Sequence, residues 1–283
     1  VDFSFITYSD LPELDPDDQV IVRALRARGF RTQALIWNDS TVDWARAGTC
    51  VVRSTWDYHK NVQDFVLWVK EVAAQTTLFN APSLMLWNIN KRYLLDLEKL
   101  GISIVPTVVG SAECIPDLKS VCAQRGWETL IIKPAIGLAT HGVRKFGAAQ
   151  VDLAKEHLTS LLCDGDVLVQ PYLRNVETTG EKSLVFIGGQ FSHAVRKMPF
   201  QALAVAGGAG ERLVDVTALE IEFGSKVLSV LDEKPLYARV DIVCDNEPLL
   251  LELELIEPSL FLLMKPSAAE RFADELLSIR PHE

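Results

Sequence analysis

The run YARVDIVCDNEPLLLELELIEPSLFL, Tyr237 to Leu262, constrains this chain more than any other stretch. Its apolar residues follow the pattern of a half-buried strand pair, with a turn at Asp245-Asn246. Yet Asp241, Glu252, Glu254 and Glu257 lie in or beside those strands. Residues two apart on a strand face the same way, so Glu252 and Glu254 share a face and Asp241 sits on the partner strand. Burying several like charges together is costly unless something neutralises them. A hard divalent cation such as Mg²⁺ would do so, because it prefers oxygen ligands and commonly keeps company with phosphate. The competing reading is a solvated strand face. The lack of basic residues at the alternate positions weakens it.

With 283 residues, nearly half of them apolar, the chain can bury a substantial core in two or three lobes. A formal charge of -10 argues against general nucleic-acid binding but leaves a local phosphate site open. The five cysteines, Cys50, Cys114, Cys122, Cys163 and Cys244, show no metal-type spacing. Such an odd, dispersed set reads as reduced thiols in a cytoplasmic protein. No run approaches the ~18 apolar residues of a membrane helix, so no membrane partner is expected.

Residues 1–85 read as an open α/β lobe. FSFITY, FRTQALIW and TCVVRSTW have strand character, and QVIVRALRARG is an amphipathic helix stopped by Gly29. In such a lobe the ligand crevice lies beyond the strand ends. RSTWDY, Arg53 to Tyr58, occupies one of those ends, which makes Arg53, with Ser54 and Asp57 nearby, a candidate substrate contact. A structural strand end packing Trp56 is an equal alternative. After about residue 86 the pattern changes to helices among antiparallel strands, so a boundary falls there.

Other stretches point to an anionic ligand. LIIKP puts Lys133 at the end of an apolar strand, before the loop PAIGLATHG. A lysine there can hold a phosphate, and the amides of Gly137 and Gly142 can approach an anion closely. Lys91 opens the helix KRYLLDLEKLG, where a cation is unfavourable with the helix dipole unless it reaches an anion. VLVQPYLRNVETTGEKSLVF reads as strand, turn, strand. Its backbone from Gln170 through Pro171 and Tyr172 to Leu173 can read an adenine edge, and Glu177 or Glu181 can accept from a ribose. There is no phosphate-loop or dinucleotide-binding glycine motif. The five histidines form no ligand spacing, and no nucleophile elbow is present.

In this order the pieces resemble the ATP-grasp superfamily, and the resemblance spans nearly the whole chain. Its carriers are a small α/β lobe, a lysine at a helix start, IIKP before a glycine loop and VLVQPYL. Next come the hairpin EKSLVFIGG, then VRKMP, AVAGGAGE, ARVD and an acid-rich last strand. Glutathione synthetase-like and ribosomal-protein-modifying ligases are similar. RSTWDY and ELELIEPSLFL resemble a bacterial subgroup of stand-alone ligases, which is similar to the cyclo-ligase closing O-ureido-D-serine to D-cycloserine.

The resemblance implies an ATP-grasp fold of the α/β class, built of α+β lobes behind an open N-terminal α/β lobe. Residues 86–165 would form the small lobe and 166–283 the large lobe with the metal site. It implies ATP and Mg²⁺ as cofactors. The activity would be a carboxylate–amine ligase acting through an acylphosphate on an amino-acid-like small molecule, with a cyclo-ligase as a subcase. A non-catalytic ATP-binding protein and a phosphotransferase are the alternatives, and a homo-oligomer is left open.

By the same resemblance, Lys91 and Lys133 hold phosphates, Gln170 to Leu173 form the adenine hinge and Glu181 takes the ribose. Arg196 or Lys197 stabilises the transferring phosphoryl group. Asp241 and Glu254 bind Mg²⁺, and Gly207, Gly208 and Gly210 lie in an active-site loop. Two departures stand out. AIGLATHG is poorer in Gly and Ser than the family loop, and the usual Glu-x-Asn ending is absent. Glu257 is then the substitute for the asparagine, one residue late.

Overall fold

A computed structural model of the chain describes residues 1–138, 141–197 and 210–279. The glycines Gly207 and Gly208 fall outside the described residues.

The first sheet is parallel, in the order β2-β1-β3-β4: β1 (Phe3–Thr7), β2 (Thr32–Ile36), β3 (Thr49–Ser54) and β4 (Leu78–Phe79). Helices α1 (Gln19–Ala27) and α2 (Val62–Gln75) make the crossovers that parallel pairing requires. Ile21, Val22, Ala24 and Leu25 are the buried residues of α1, at the one-face spacing expected of an amphipathic helix. The chain then turns into α3 (Pro82–Asn88) and α4 (Tyr93–Lys99). The sequence suggested that Lys91 opens a helix. It lies instead in the turn between these two short helices, because its N–H donates to the carbonyl of Ala135 at 2.8 Å and ties the turn to another strand end.

The second sheet is antiparallel, in the order β5-β8-β6-β7, from β5 (Val108–Gly110), β6 (Thr129–Pro134), β7 (Arg144–Gly147) and β8 (Val167–Pro171). Helices α5 (Leu118–Arg125) and α6 (Val151–Leu162) accompany it. After the one-turn α7 (Asn175–Thr178) comes the third sheet, β11-β10-β9-β12-β13. Its strands are β9 (Glu181–Ile187), β10 (Gln190–Lys197), β11 (Arg212–Val214), β12 (Tyr237–Asp245) and β13 (Glu247–Glu254). α8 (Ala218–Ser229) starts at a capping box between Thr217 and Glu220. α9 (Pro266–Ser278) returns to the first lobe: Phe272 and Leu276 share one core with Phe3, Phe5 and Leu25 and with Val185 and Ile187 of β9.

β13 ends the third sheet, so one row of its backbone groups lacks a strand partner. Those groups are satisfied one by one. Val105 N–H donates to Leu250 O, and Leu250 N–H donates to Ser103 O, both at 2.9 Å. The Tyr93 hydroxyl donates to Leu253 O and accepts from Leu253 N–H, both at 2.8 Å. Asn88 accepts from Leu255 N–H at 2.9 Å and donates to Leu253 O at 2.9 Å. Asn80, fully buried, donates to Tyr237 O and Leu255 O at 2.8 and 2.7 Å and accepts from Leu236 N–H at 2.8 Å. Side chains from β4 to α4 thus stand where a neighbouring strand would.

A buried backbone group stripped of its partner costs about 1–3 kcal/mol. Asn80→Ala strips several at once and is expected to lower stability by about 3 kcal/mol, read from the urea midpoint at unchanged slope. A midpoint like that of the parent chain would refute the clamp.

Candidate active site

Two cavities lie between the second and third sheets and meet at Lys91, Gly137, Glu181 and Glu252. The smaller, about 300 Å³, is largely apolar, with Ile131, Val143, Val243 and Leu251 on its walls and Gln170 to Leu173 along one side. The larger, about 600 Å³, holds the acids and reaches the first lobe at Trp56 and Tyr58.

The hairpin register sets the acids. Asp241 stands opposite Glu252 and Arg239 opposite Glu254, with an irregularity just beyond Asp241. All four line the larger cavity. Arg239 and Asp241 are two apart on β12 and so share a face. Arg239 grips Asp241 with Nε on Oδ1 and Nη2 on Oδ2, both at 2.9 Å, and also bonds Glu254. Lys197 Nζ lies 3.2 Å from Glu181 and 3.4 Å from Asp241. Lys91 Nζ lies 3.0 Å from Glu252 and 2.6 Å from Gly137 O. The acids are therefore balanced by three basic side chains, a correction to the sequence argument that a metal alone would neutralise them.

The balance is incomplete, and the proton affinities show where. Burial works against charge on Asp241, but Arg239 and then Lys197 outweigh it and hold the carboxyl well below its usual range. Glu254 is pushed up to about 7, by burial first and then by Asp241 and Glu252, despite Arg239. Glu257 is pushed up to about 8 by burial and by Glu254. Burial alone would pull Lys91 down, but Glu252 leads the acids that raise it. Lys133 is lowered, chiefly by burial, and its ammonium makes no hydrogen bond or salt bridge with another described residue. This corner holds more carboxyls than its basic side chains can keep ionised.

Among the described residues no three His, Cys, Asp or Glu side chains form a ready cage for a metal. Mg²⁺ seldom uses one; it takes one or two carboxylates plus phosphate oxygens and water. Asp241 and Glu254, on one wall with Glu254 short of positive charge, fit that mode. Glu257 borders the same cavity.

The other expected residues divide. Pro171, Tyr172 and Leu173 line the small cavity, but Tyr172 N–H is bound to Thr129 O at 2.8 Å and Gln170 turns its amide to Thr107 at 2.9 Å. Glu181 borders both cavities, whereas Glu177 faces Tyr172 and Lys145 on the surface. Gly210 reaches the larger cavity. Arg196, next to Lys197 on β10, points to the opposite face and does not line the cleft. Arg239, which the sequence reading passed over, provides the guanidinium; its signal was its place two residues before Asp241 in ARVD.

Arg53, Ser54 and Asp57 do not line the cleft. Arg53 is fully buried, with Nε on Asp18 at 2.8 Å and Nη2 on Pro258 O at 2.6 Å. Ser54 also bonds Asp18, and Asp57 takes the Trp37 indole N–H. The neighbours that reach the cavity are Trp56 and Tyr58.

Three sheets with a slot of about 300 Å³ between the two antiparallel ones define an ATP-grasp ligase. D-alanine–D-alanine ligase from Bacillus anthracis has the same fold at 14% identity, with TM-score 0.69 over 98% of this chain and 96% of that one; it has also been solved with ATP. The chain belongs to the DcsG family: it is 32% identical to the cycloserine biosynthesis protein DcsG of Streptomyces lavendulae, over 93% of each. Residues 4–80 match the family model of the D-cycloserine synthetase DcsG N-terminal domain. The crystal structure of D-cycloserine synthetase DcsG superposes with TM-score 0.88 at 28% identity, covering 98% of this chain and 99% of that one.

Carboxyls raised by the fold bind protons more tightly folded than unfolded. Their stabilising contribution is full below about pH 4.3 and is lost as pH climbs through about 7 for Glu254 and about 8 for Glu257. The unliganded protein is therefore expected to lose stability between about pH 5 and 8 from these groups. Glu257→Gln should melt roughly 2–4 °C above the parent at pH 8.5, the size of a ~1 kcal/mol effect, and close to it at pH 5. Equal shifts at both pH values would refute the assignment.

Proposed function

We propose that the protein binds Mg-ATP between the second and third sheets and forms a carbon–nitrogen bond on a small amino-acid-like substrate. Closure of O-ureido-D-serine to D-cycloserine is the reaction proposed first, supported by kinship with a D-cycloserine synthetase. The observation that carries the reading is the continuity of the two cavities: an apolar slot opens onto a charged chamber, with Lys91, Gly137, Glu181 and Glu252 at the junction.

In this reading the adenine lies against Ile131, Val243 and Leu251, beside the backbone of Gln170 to Leu173. Glu181 accepts from the ribose, and Lys91 and Lys133 hold phosphate oxygens. Asp241 and Glu254, with Glu257 beside them, hold Mg²⁺, which supplies charge neutralisation and alignment of the phosphates. Lys197 and Arg239 face the same chamber and offset the charge that grows on the phosphoryl group in transfer.

A substrate carboxylate oxygen attacks the γ-phosphorus and ADP leaves, giving an acylphosphate. An amine nitrogen then attacks the acyl carbon; phosphate leaves and the surplus amine proton passes to solvent or phosphate. In the cyclising case the nitrogen and the acyl carbon belong to one molecule; with O-ureido-D-serine that nitrogen also loses its carbamoyl group, which water releases as carbon dioxide and ammonia. Trp56, Tyr58 and Phe261 wall the chamber, limiting water that would hydrolyse the acylphosphate. No general base is required, in keeping with a lining whose one histidine among the described residues is His141 at the slot.

Lys133→Ala is expected to weaken Mg-ATP binding by roughly 10- to 100-fold, the worth of a charge-assisted bond, with the circular dichroism spectrum unchanged. Normal binding by calorimetry would remove Lys133 from the site. With O-ureido-D-serine as sole substrate, ADP and phosphate should appear together with D-cycloserine, a product lighter than the substrate by the carbon dioxide and ammonia of its carbamoyl group. Release only with a second, amine-bearing molecule would indicate a two-substrate ligase. A stable phosphorylated product would indicate a phosphotransferase.

A further inference from the structure

The segment Leu255–Leu260, between β13 and the end of the cavity wall, is held in an unusual way. Six consecutive carbonyl oxygens each accept from a different side chain drawn from across the molecule. Leu255 O takes Asn80 at 2.7 Å and Ile256 O takes the Tyr237 hydroxyl at 2.7 Å. Glu257 O takes the Trp56 indole at 3.2 Å and Pro258 O takes Arg53 at 2.6 Å. Ser259 O takes Arg239 at 3.3 Å and Leu260 O takes His193 at 2.9 Å. The segment has no ladder of its own; these donors, together with the burial of Leu255, Ile256 and Leu260, set its path.

The same segment presents Glu257, Ser259 and Phe261 to the larger cavity. Phe261 has φ +54, in the left-handed region that a bulky residue seldom enters. Its ring centroid lies 5.8 Å from Lys197 Nζ and 5.9 Å from Arg239 Cζ. Three of the six donors, Asn80, Arg53 and Trp56, come from the first lobe. Arg53 is fixed in turn by Asp18 and by the Tyr237 ring, 4.7 Å from its Cζ.

We infer that Arg53 is a positioning residue for the ligase reaction. Through Pro258 O, and with Trp56 on Glu257 O, it sets the path of residues 255–261 and thereby the placement of the Glu257 carboxyl and Phe261 ring beside Lys197 and Arg239. The first lobe thus acts on the chemistry by holding a loop of the third. The catalytic consequence rests on the proposed ligase activity; the structural one does not.

Arg53→Lys keeps the charge opposite Asp18 and shortens the reach to Pro258 O. Amide hydrogen exchange of a peptide covering residues 255–264 should then quicken at least about 10-fold, while peptides from β1 and α1 exchange as before. With Mg-ATP and O-ureido-D-serine, kcat should fall roughly 10-fold while both KM values stay within about 2-fold. Unchanged exchange in 255–264, or equal quickening in β1 and α1, would overturn the inference, as would an unchanged kcat. If Arg53→Lys does not fold, Trp56→Phe, which keeps the ring and loses the donor, is judged by the same measurements. A wild-type protein that releases no ADP from this substrate would count against the ligase reading alone, and the exchange result would still decide the positioning role.

Discussion

The site depends on one strand being held without a neighbour. β13 carries Glu252 and Glu254, and a slip by one residue would turn both away from the cleft. Its inner edge is fixed by β12. Its outer edge is fixed by Tyr93, Asn88 and Asn80, plus one short bridge at Leu250. Each amide or hydroxyl satisfies a particular N–H or C=O, so together they specify register as a full strand would. Because α3 and α4 carry two of these side chains, the turn between the helices also brings Lys91 to Glu252. Placement of the acids and placement of a candidate phosphate-binding cation are two results of the same packing.

Around that strand the charges form a partly compensated lattice. Arg239, Lys197 and Lys91 cover Asp241, one side of Glu254, Glu181 and Glu252. Glu257 is left with little cationic support and Lys133 with no paired acid among the described residues. A buried site with opposite surpluses a short way apart suits a ligand that carries both signs, as a metal–phosphate complex does. The fold thus pays a stability cost for unmatched groups that binding can relieve.

Much of this was legible in the sequence. Same-face spacing found the acid wall, and the lysine closing an apolar strand found Lys133. The order of motifs found the fold class. What escaped depends on contacts between distant segments. Nothing near Lys91 in sequence shows that its N–H will bond Ala135 and break the helix there. Arg53 reads as a binding residue because arginine at a strand end usually meets solvent or ligand; its partners Asp18 and Pro258 come from elsewhere in the chain. Arg196 and Lys197 were indistinguishable as neighbours until pairing with β9 fixed which one faces inward. Arg239 stood two residues before Asp241, at an alternate position where the sequence reading counted no base, and only the strand pairing shows that it shares the wall with the acids.

The return of α9 to the first lobe has a consequence for how the molecule is made. β1 and α1 leave the ribosome well before α9, yet the apolar face formed by Phe3, Phe5 and Leu25 is completed by Phe272 and Leu276 of that helix. Such long-range closure is slow, because loop entropy must be lost before the contact contributes. During synthesis the first lobe therefore waits with part of its core open to solvent, the state in which chains are most prone to associate wrongly. The charged surface of α1, with Arg23 and Arg26 interrupting the apolar residues, keeps that waiting face narrow.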